Sequence, residues 1–245
     1  MRTLIERVLL PAYLAVLLVL ILAARAVAAD ETPAEEDEVV LELVFVHHVD
    51  MGMHEQDIFI EHDPDSGRVY RATREDLDPE SPLFRVARPV RHEPFDLRQK
   101  GPYRNGGALN LKLGQWLSGS GDGEYRCEDG TGRIDVRFRS LVPDGVYTMW
   151  HWFVSIPPTV PFNGIYGVPL GDRDGSQSVF RADRRGDVRY VREFQPCLQL
   201  SGEHLASALA INWHSDGQTH GPLPGELSVD SHRHLLLFLP RRSGL

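Results

Sequence analysis

Along most of this chain apolar and polar side chains alternate with a period of two, the spacing at which successive residues of a β-strand face opposite sides of a sheet. The clearest case is Arg133 to Arg139, with Ile134, Val136 and Phe138 on one face and Arg133, Asp135, Arg137 and Arg139 on the other. That pattern predicts a strand with one buried and one wet face. Val39 to Val49 carries apolar residues on both faces, Val39, Leu41, Leu43 and Phe45 against Val40, Val44 and Val46, and so predicts a strand covered on both sides. Tyr147 to Val154 sets Met149 and Phe153 opposite Trp150 and Trp152, and therefore predicts a central strand.

Turn chemistry separates these runs. Asp63-Pro64-Asp65-Ser66-Gly67 joins Asp57–His62 to Arg68–Ala72 as a hairpin, because the proline presets one turn angle and the glycine tolerates positive φ. From Glu75 to Gly107 alternation fades among prolines and charges, which predicts a connecting segment over the surface. Ala108–Leu113 reads as a strand, with a helical turn at Gln115–Leu117. Pro157 to Gly175 reads as a loop. Ser176–Ala182 and Val188–Phe194 predict a second hairpin, and Leu209–His214 and His232–Leu239 the last strands. Sustained helical spacing is absent after residue 28, so the predicted fold is all-β, a two-sheet antiparallel sandwich of immunoglobulin-like or superoxide-dismutase-like kind, with an extra strand and hairpin region at its N-terminal side. Leu141-Val142-Pro143-Asp144-Gly145-Val146-Tyr147 adds the spacing of a tyrosine corner, in which the hydroxyl bonds back to the backbone as the chain changes sheet.

The first thirty residues change the compartment. Arg2 and Arg7 precede an uncharged apolar run, Val8 to Ala24, and Ala26-Val27-Ala28 supplies a small-residue cleavage site. This is the layout of a secretory signal peptide over residues 1–28. The run is also nearly long enough to span a bilayer, so retention as an anchor is the other outcome, and a membrane is a partner only in that case. An acidic linker follows at 29–38, then the strand and hairpin extension with its connecting segment at 39–106, the sandwich at 107–240 and a tail at 241–245.

Charge narrows the partners. The formal charge of −9 becomes −11 once the leader, with three arginines and one glutamate, is removed. Nucleic acid and anionic lipid both call for basic clusters, so neither is expected. Two cysteines in an oxidising compartment pair most simply as one disulfide, Cys127–Cys197.

Eleven histidines are many for 245 residues, and they cluster. His47, His48, Met51, Met53 and His54 mix imidazole with thioether, ligands that suit copper, although His47 and His48 face opposite ways on a continuous strand. His214, His220, His232 and His234 form the second cluster. His232 and His234 share a strand face by their spacing, so with His214 on a neighbouring strand they are the metal-ligand set for copper or zinc, with Asp216 placed to orient an imidazole. Trp150, His151 and Trp213 are the candidate lining of a ligand groove. Ser176, Ser201 and Ser215 lack the Gly-x-Ser-x-Gly elbow of a hydrolase nucleophile. Asp172, Asp174 and Gly175 lack the oxygen spacing of a calcium loop and read as structural.

Gly145-Val146-Tyr147-Thr148, Asp174-Gly175-Ser176-Gln177, Pro196-Cys197-Leu198-Gln199-Leu200-Ser201-Gly202, Trp213-His214-Ser215-Asp216-Gly217 and Ser231-His232 together resemble a family of secreted or periplasmic bacterial β-sandwich proteins of uncharacterised function, over about residues 107–240. The resemblance implies export and a sandwich but no mechanism. A looser architectural likeness runs to copper/zinc superoxide dismutases, also exported sandwiches with one internal disulfide. Their paired His-x-His ligands have no counterpart here, since the matching strand offers only His151. Two functions remain: a non-catalytic module binding a small ligand or protein in the periplasm or outside the cell, and a copper- or zinc-binding protein that could support redox chemistry.

Overall fold

A computed structural model describes residues 38–51, 58–73, 78–88, 90, 100–157 and 165–241. The signal peptide, all of the linker but Glu38, the tail beyond Arg241, and Met53 and His54 lie outside the described residues.

The strands are β1 (Val39–His47), β2 (Phe59–Ile60), β3 (Arg68–Arg71), β4 (Pro82–Val86), β5 (Tyr103–Lys112), β6 (Ser120–Glu128), β7 (Thr131–Arg139), β8 (Val146–Ser155), β9 (Ile165–Pro169), β10 (Val179–Arg181), β11 (Val188–Phe194), β12 (Leu205–His214) and β13 (Ser231–Phe238). A short helix, α1 (Leu113–Leu117), joins β5 to β6. The fold is all-β and antiparallel, as the period-two pattern predicts. One sheet runs β10-β8-β12-β13-β1-β6-β7-β11, with β9 also on β8, and a smaller sheet runs β2-β3-β5-β4.

The large sheet curls into the two layers of a sandwich, and β1 makes the crossing. Val39 to Phe45 pair with β6, whereas Val46 and His47 pair with Leu236 and Leu235 of β13. The two ends of the sheet, β10 and β11, are joined through the 182–187 turn, so the chain brings its outermost strands back together. Leu43, Phe45, Tyr125, Ile134, Val136, Phe138, Tyr147, Met149, Leu209, Ile211, Leu235 and Leu237 fill the space between the layers. Ile60, Leu83 and Leu111 from the smaller sheet, with Trp116 from α1, belong to the same core.

Local pattern accounts for most of these elements. In β7 the three apolar residues are buried, while Arg133 and Arg189 make ion pairs with Glu193 and Asp135 on the wet face at 2.6 and 2.5 Å. Such exposed pairs add only about 0–1 kcal/mol each, so that layer is held by its inner face. Nine of the ten residues of β8 are buried, and the strand lies between β12 on one side and β9 and β10 on the other, the central place its sequence predicts. β1 departs from expectation. Val40 and Val44 are 46% and 55% exposed, so only the face of Leu43, Phe45 and His47 is covered. The Glu75–Gly107 segment also differs: it contains β4 and the start of β5. β6 and β9 form where sequence gave little signal, β6 from the glycine-rich Ser120–Glu128 and β9 from the predicted 157–175 loop.

The tyrosine corner forms. Tyr147 Oη accepts the Val142 N–H at 2.8 Å and lies 3.0 Å from His234 Nδ1, while His234 Nε2 donates to the Trp116 carbonyl at 2.7 Å. One buried chain of hydrogen bonds therefore links the turn before β8, strand β13 and helix α1. Changing Tyr147 to Phe leaves a buried N–H and a ring nitrogen without this partner and should cost about 1–3 kcal/mol in chemical unfolding, more than the typical gain from a single hydrogen bond. An unfolding midpoint equal to that of the parent protein would show that the chain carries no weight.

Cys127 and Cys197 are joined as a disulfide, with their Cα atoms 5.7 Å apart. Among the described residues no helix is long and apolar enough to cross a membrane.

Candidate metal centre

Strand alternation decides which histidines meet. Trp213 pairs with His232 across β12 and β13, and His214 pairs with Ser231. His232 therefore shares the inward face with Trp213, whereas His214 faces outward with Asn212 and Thr148. The β12–β13 register then shifts between Ile211 and Asn212, which pair with Leu235 and Arg233, so His234 is the extra residue of a bulge. It also points into the core, stacked on Trp116 with ring centres 3.9 Å apart. His214, His232 and His234 thus do not converge. His232 Nε2 lies 3.0 Å from Ser215 Oγ, and both nitrogens of His234 are engaged in the Tyr147–Trp116 chain. Burial holds the His234 pKa down at about 4, so the ring is a neutral core histidine.

The groove residues separate for the same reason. Trp150 is fully buried on the outward face beside Trp152, Ala208, Ala210 and Leu236, while His151 and Trp213 face inward. His151 alone of the three lines an open cleft of about 500 Å³, with Phe153, Phe194 and Pro196. Its Nε2 lies 2.6 Å from Ser207 Oγ and 3.2 Å from the Gln199 carbonyl, and burial lowers its pKa to about 4. His47 packs inward near Trp116 and His234, and because β1 ends there its ring lies 4.2 Å from that of His48 instead of on the opposite face, whereas Met51 packs against the outward Trp150 cluster.

A different set does converge. His214 ends β12, and the chain turns at once, with Gly217 N–H donating to the His214 carbonyl at 3.1 Å. The Gln218 N–H holds Asp216 Oδ1 at 3.0 Å, leaving Oδ2 3.8 Å from His220 Nε2. The ligand atoms of His214, Asp216 and His220 all lie within 4.8 Å of one another. Asp230, just before β13, brings Oδ1 to 3.8 Å from His220 Nε2. Asp216 therefore stands among the donors rather than behind them as an orienting group; sequence spacing places His220 in the second histidine cluster but not in its ligand set, and does not single out Asp230 at all.

Hydrogen bonding orients the histidine at the centre. His214 is 2% exposed; its Nε2 lies 2.8 Å from Thr148 Oγ1, which also accepts the Trp150 Nε1–H at 2.8 Å. That contact fixes the ring and turns Nδ1 toward the other donors. Among the described residues neither His214 Nδ1 nor His220 Nε2 has a hydrogen-bond partner, although both atoms are buried. Leaving such atoms unmatched is costly, on the order of 1–3 kcal/mol each. Burial, and then the neighbouring His220, hold the His214 pKa down at about 4, so at neutral pH the ring has the uncharged form that a metal ion requires.

No protein-family model, curated protein or solved structure matches the chain. What fold and site define is a class: an all-β, antiparallel, disulfide-linked sandwich carrying a possible His/Asp metal site at one end of its central strands.

Proposed function

We propose that this chain is an exported, non-catalytic metal-binding sandwich, working in the periplasm or outside the cell, that takes a divalent transition-metal ion through His214, Asp216 and His220. The observation that carries the reading is the pair of buried, unpartnered imidazole nitrogens aimed at a common point with a carboxylate beside them. Two imidazoles and one carboxylate suit zinc or copper(II), and the set has no thiolate or thioether to favour copper(I). Thr148 at the far nitrogen of His214 supplies the outer hydrogen bond that metal-binding histidines commonly make. Export is supported by the leader-like N-terminal sequence, by the disulfide, which persists in oxidising compartments, and by the resemblance to exported bacterial sandwiches.

Protein made without an affinity tag and stripped of metal should bind one zinc or copper(II) ion per chain in calorimetry. At an ion concentration 100 times Kd the gain is about 2.7 kcal/mol, which for a chain of this size raises Tm by roughly 5–10 °C. His214→Ala with His220→Ala should abolish both effects, whereas His232→Ala should keep the stoichiometry. An unchanged Tm with either ion, and no heat of binding, would remove the proposal.

A further inference from the structure

We infer that Asp230 is the fourth ligand of this centre, closing it into a two-histidine, two-aspartate shell for zinc that clamps the 215–230 connection to the end of the sandwich. The inference rests on the metal-binding reading above and adds what the ion does there.

Position argues first. Asp230 Oδ1 stands as far from His220 Nε2, 3.8 Å, as Asp216 Oδ2 does, so the two carboxylates flank the same imidazole. Zinc bound at about 2.0–2.2 Å by tetrahedral ligands sets them roughly 3.3–3.6 Å apart, so these two separations need only a small contraction, while Asp230, outside the set of donors that lie within 4.8 Å of one another, closes further on the rest as the ion draws it in. Asp230 is also held in place: its Oδ1 accepts the Glu226 N–H at 2.7 Å, and its carbonyl accepts the Ser215 N–H at 2.8 Å. That second bond ties Asp230 to the residue following His214, which brings the first and last ligands of the connection side by side.

Enclosure argues second. Gly225 runs its backbone against the centre at φ +81°, and a Cβ there would come within 2.6 Å of Asp230 Oδ1 and 2.9 Å of His220 Cδ2. Only glycine permits so close a wall, which occupies space that an external ligand to the ion would use. Two carboxylates against two neutral imidazoles also balance the double charge of the ion. Closed four-ligand shells characterise structural zinc sites, whereas catalytic sites keep a position open for water or substrate.

The connection is tied to the body chiefly near its C-terminal end, where Val229 packs on the Phe59, Val69 and Val86 cluster. Val86 N–H to the Ser228 carbonyl at 3.0 Å joins it to β4, and Leu223 in its middle is 66% exposed. An ion holding His214, Asp216, His220 and Asp230 would fix this segment at both ends and near its centre.

Cobalt(II) replacing zinc in the whole protein separates the closed site from the open one. The wild-type protein should give the intense visible absorption of tetrahedral cobalt, unchanged on adding azide. Asp230→Asn should still bind one cobalt, more weakly, and its spectrum should now shift with azide. Zinc should also slow cleavage by a glutamate-specific protease after the exposed Glu226 in the wild-type protein, by up to about 100-fold at 100 times Kd if cleavage follows opening of the segment. An azide-sensitive wild-type spectrum overturns the closed shell while leaving metal binding intact, and this arm needs no variant. An Asp230→Asn spectrum identical to that of the wild type, before and after azide, also overturns it. Absence of any cobalt binding removes the metal site and the clamp together.

Discussion

Between pH 7.5 and 4.5 the folded protein should lose on the order of 5 kcal/mol of stability through two histidines that bind no metal, His151 and His234. Both are buried and neutral, with pKa values lowered from 6.5 to about 4 chiefly by burial. As pH falls below 6.5 the unfolded chain takes up these protons first, while the native state resists until about pH 4. The unfolded state therefore binds more protons throughout that window, and stability drops as pH falls through it, by roughly 2.5 kcal/mol for each ring. His47, whose pKa is also pushed down by burial and then by His48 and His234, works in the same direction. Asp135, Asp174 and Asp183 have lowered pKa values as well, from the Arg189 hydrogen bond and from backbone N–H groups respectively, and their contributions fade only below the ordinary carboxylate range. Urea unfolding at the two pH values, in the presence of a chelator, measures the loss. His151→Gln should flatten the slope by no more than about a third, because His214, free of metal under these conditions, is held down to about 4 as well and His47 adds in the same direction. A midpoint that does not move between pH 6.5 and 4.5 would mean that these rings are protonated in the native state.

The same burial explains why the fold was more legible than the site. Strands such as β7 and β8 announce themselves because their faces differ in polarity, or because both are apolar, and tertiary packing follows that pattern directly. β1 misleads because Val40 and Val44 are apolar yet stand on a face that is left open. β6 hides because Gly121 and Gly123 carry no side chain to alternate, and they are there because neighbours leave no room. A Cβ at Gly121 would meet the Phe138 ring at 2.5 Å, and one at Gly123 the Asp135 carbonyl oxygen at 2.1 Å. The tyrosine corner and the 183–187 turn were readable because each depends on a few local residues. The strands flanking that turn do not pair as the predicted hairpin, since β10 takes β8 as its partner and β11 takes β7, a choice set by tertiary packing and not by the turn.

Histidine position along a strand, by contrast, reports a face only while the register is regular. The i, i+2 rule does place His232 and His234 on one side of β13, but that side is the core. His214 belongs to the other face, and its partners come from the turn-rich stretch that follows, where glycine and proline bend the chain through 217, 221, 222, 224 and 225. Three-dimensional return of a loop cannot be derived from period two. The signal that was present is compositional: Asp216, His220 and Asp230 bracket a connection rich in turn residues immediately after a strand-end histidine.

Breaking the disulfide should cost roughly 4 kcal/mol, the loop-closure value for a bridge spanning 70 residues. For a chain of this size that lowers Tm by about 8–16 °C. The bridge has a specific mechanical setting. Cys127 lies near the end of β6, opposite Val39 of β1 and Gly132 of β7, while Cys197 lies in the segment by which the chain leaves β11 and crosses to β12. One residue further on, the Leu198 N–H donates to Tyr125 Oη at 2.7 Å, so β6 grips the crossing segment twice within two residues. Cys127→Ala with Cys197→Ala removes the covalent grip and leaves the hydrogen bond to hold the crossing alone. Adding Tyr125→Phe should then cost more than it does in the bridged protein, since the two ties restrain one segment and their effects do not add. The unbridged chain should also show a larger urea m-value, because its unfolded state is free to expand. Peptide mapping without reductant checks the pairing itself. Equal midpoints for the bridged and unbridged proteins would place the stability of the crossing in Tyr125 and the core beneath it, not in the sulfur link.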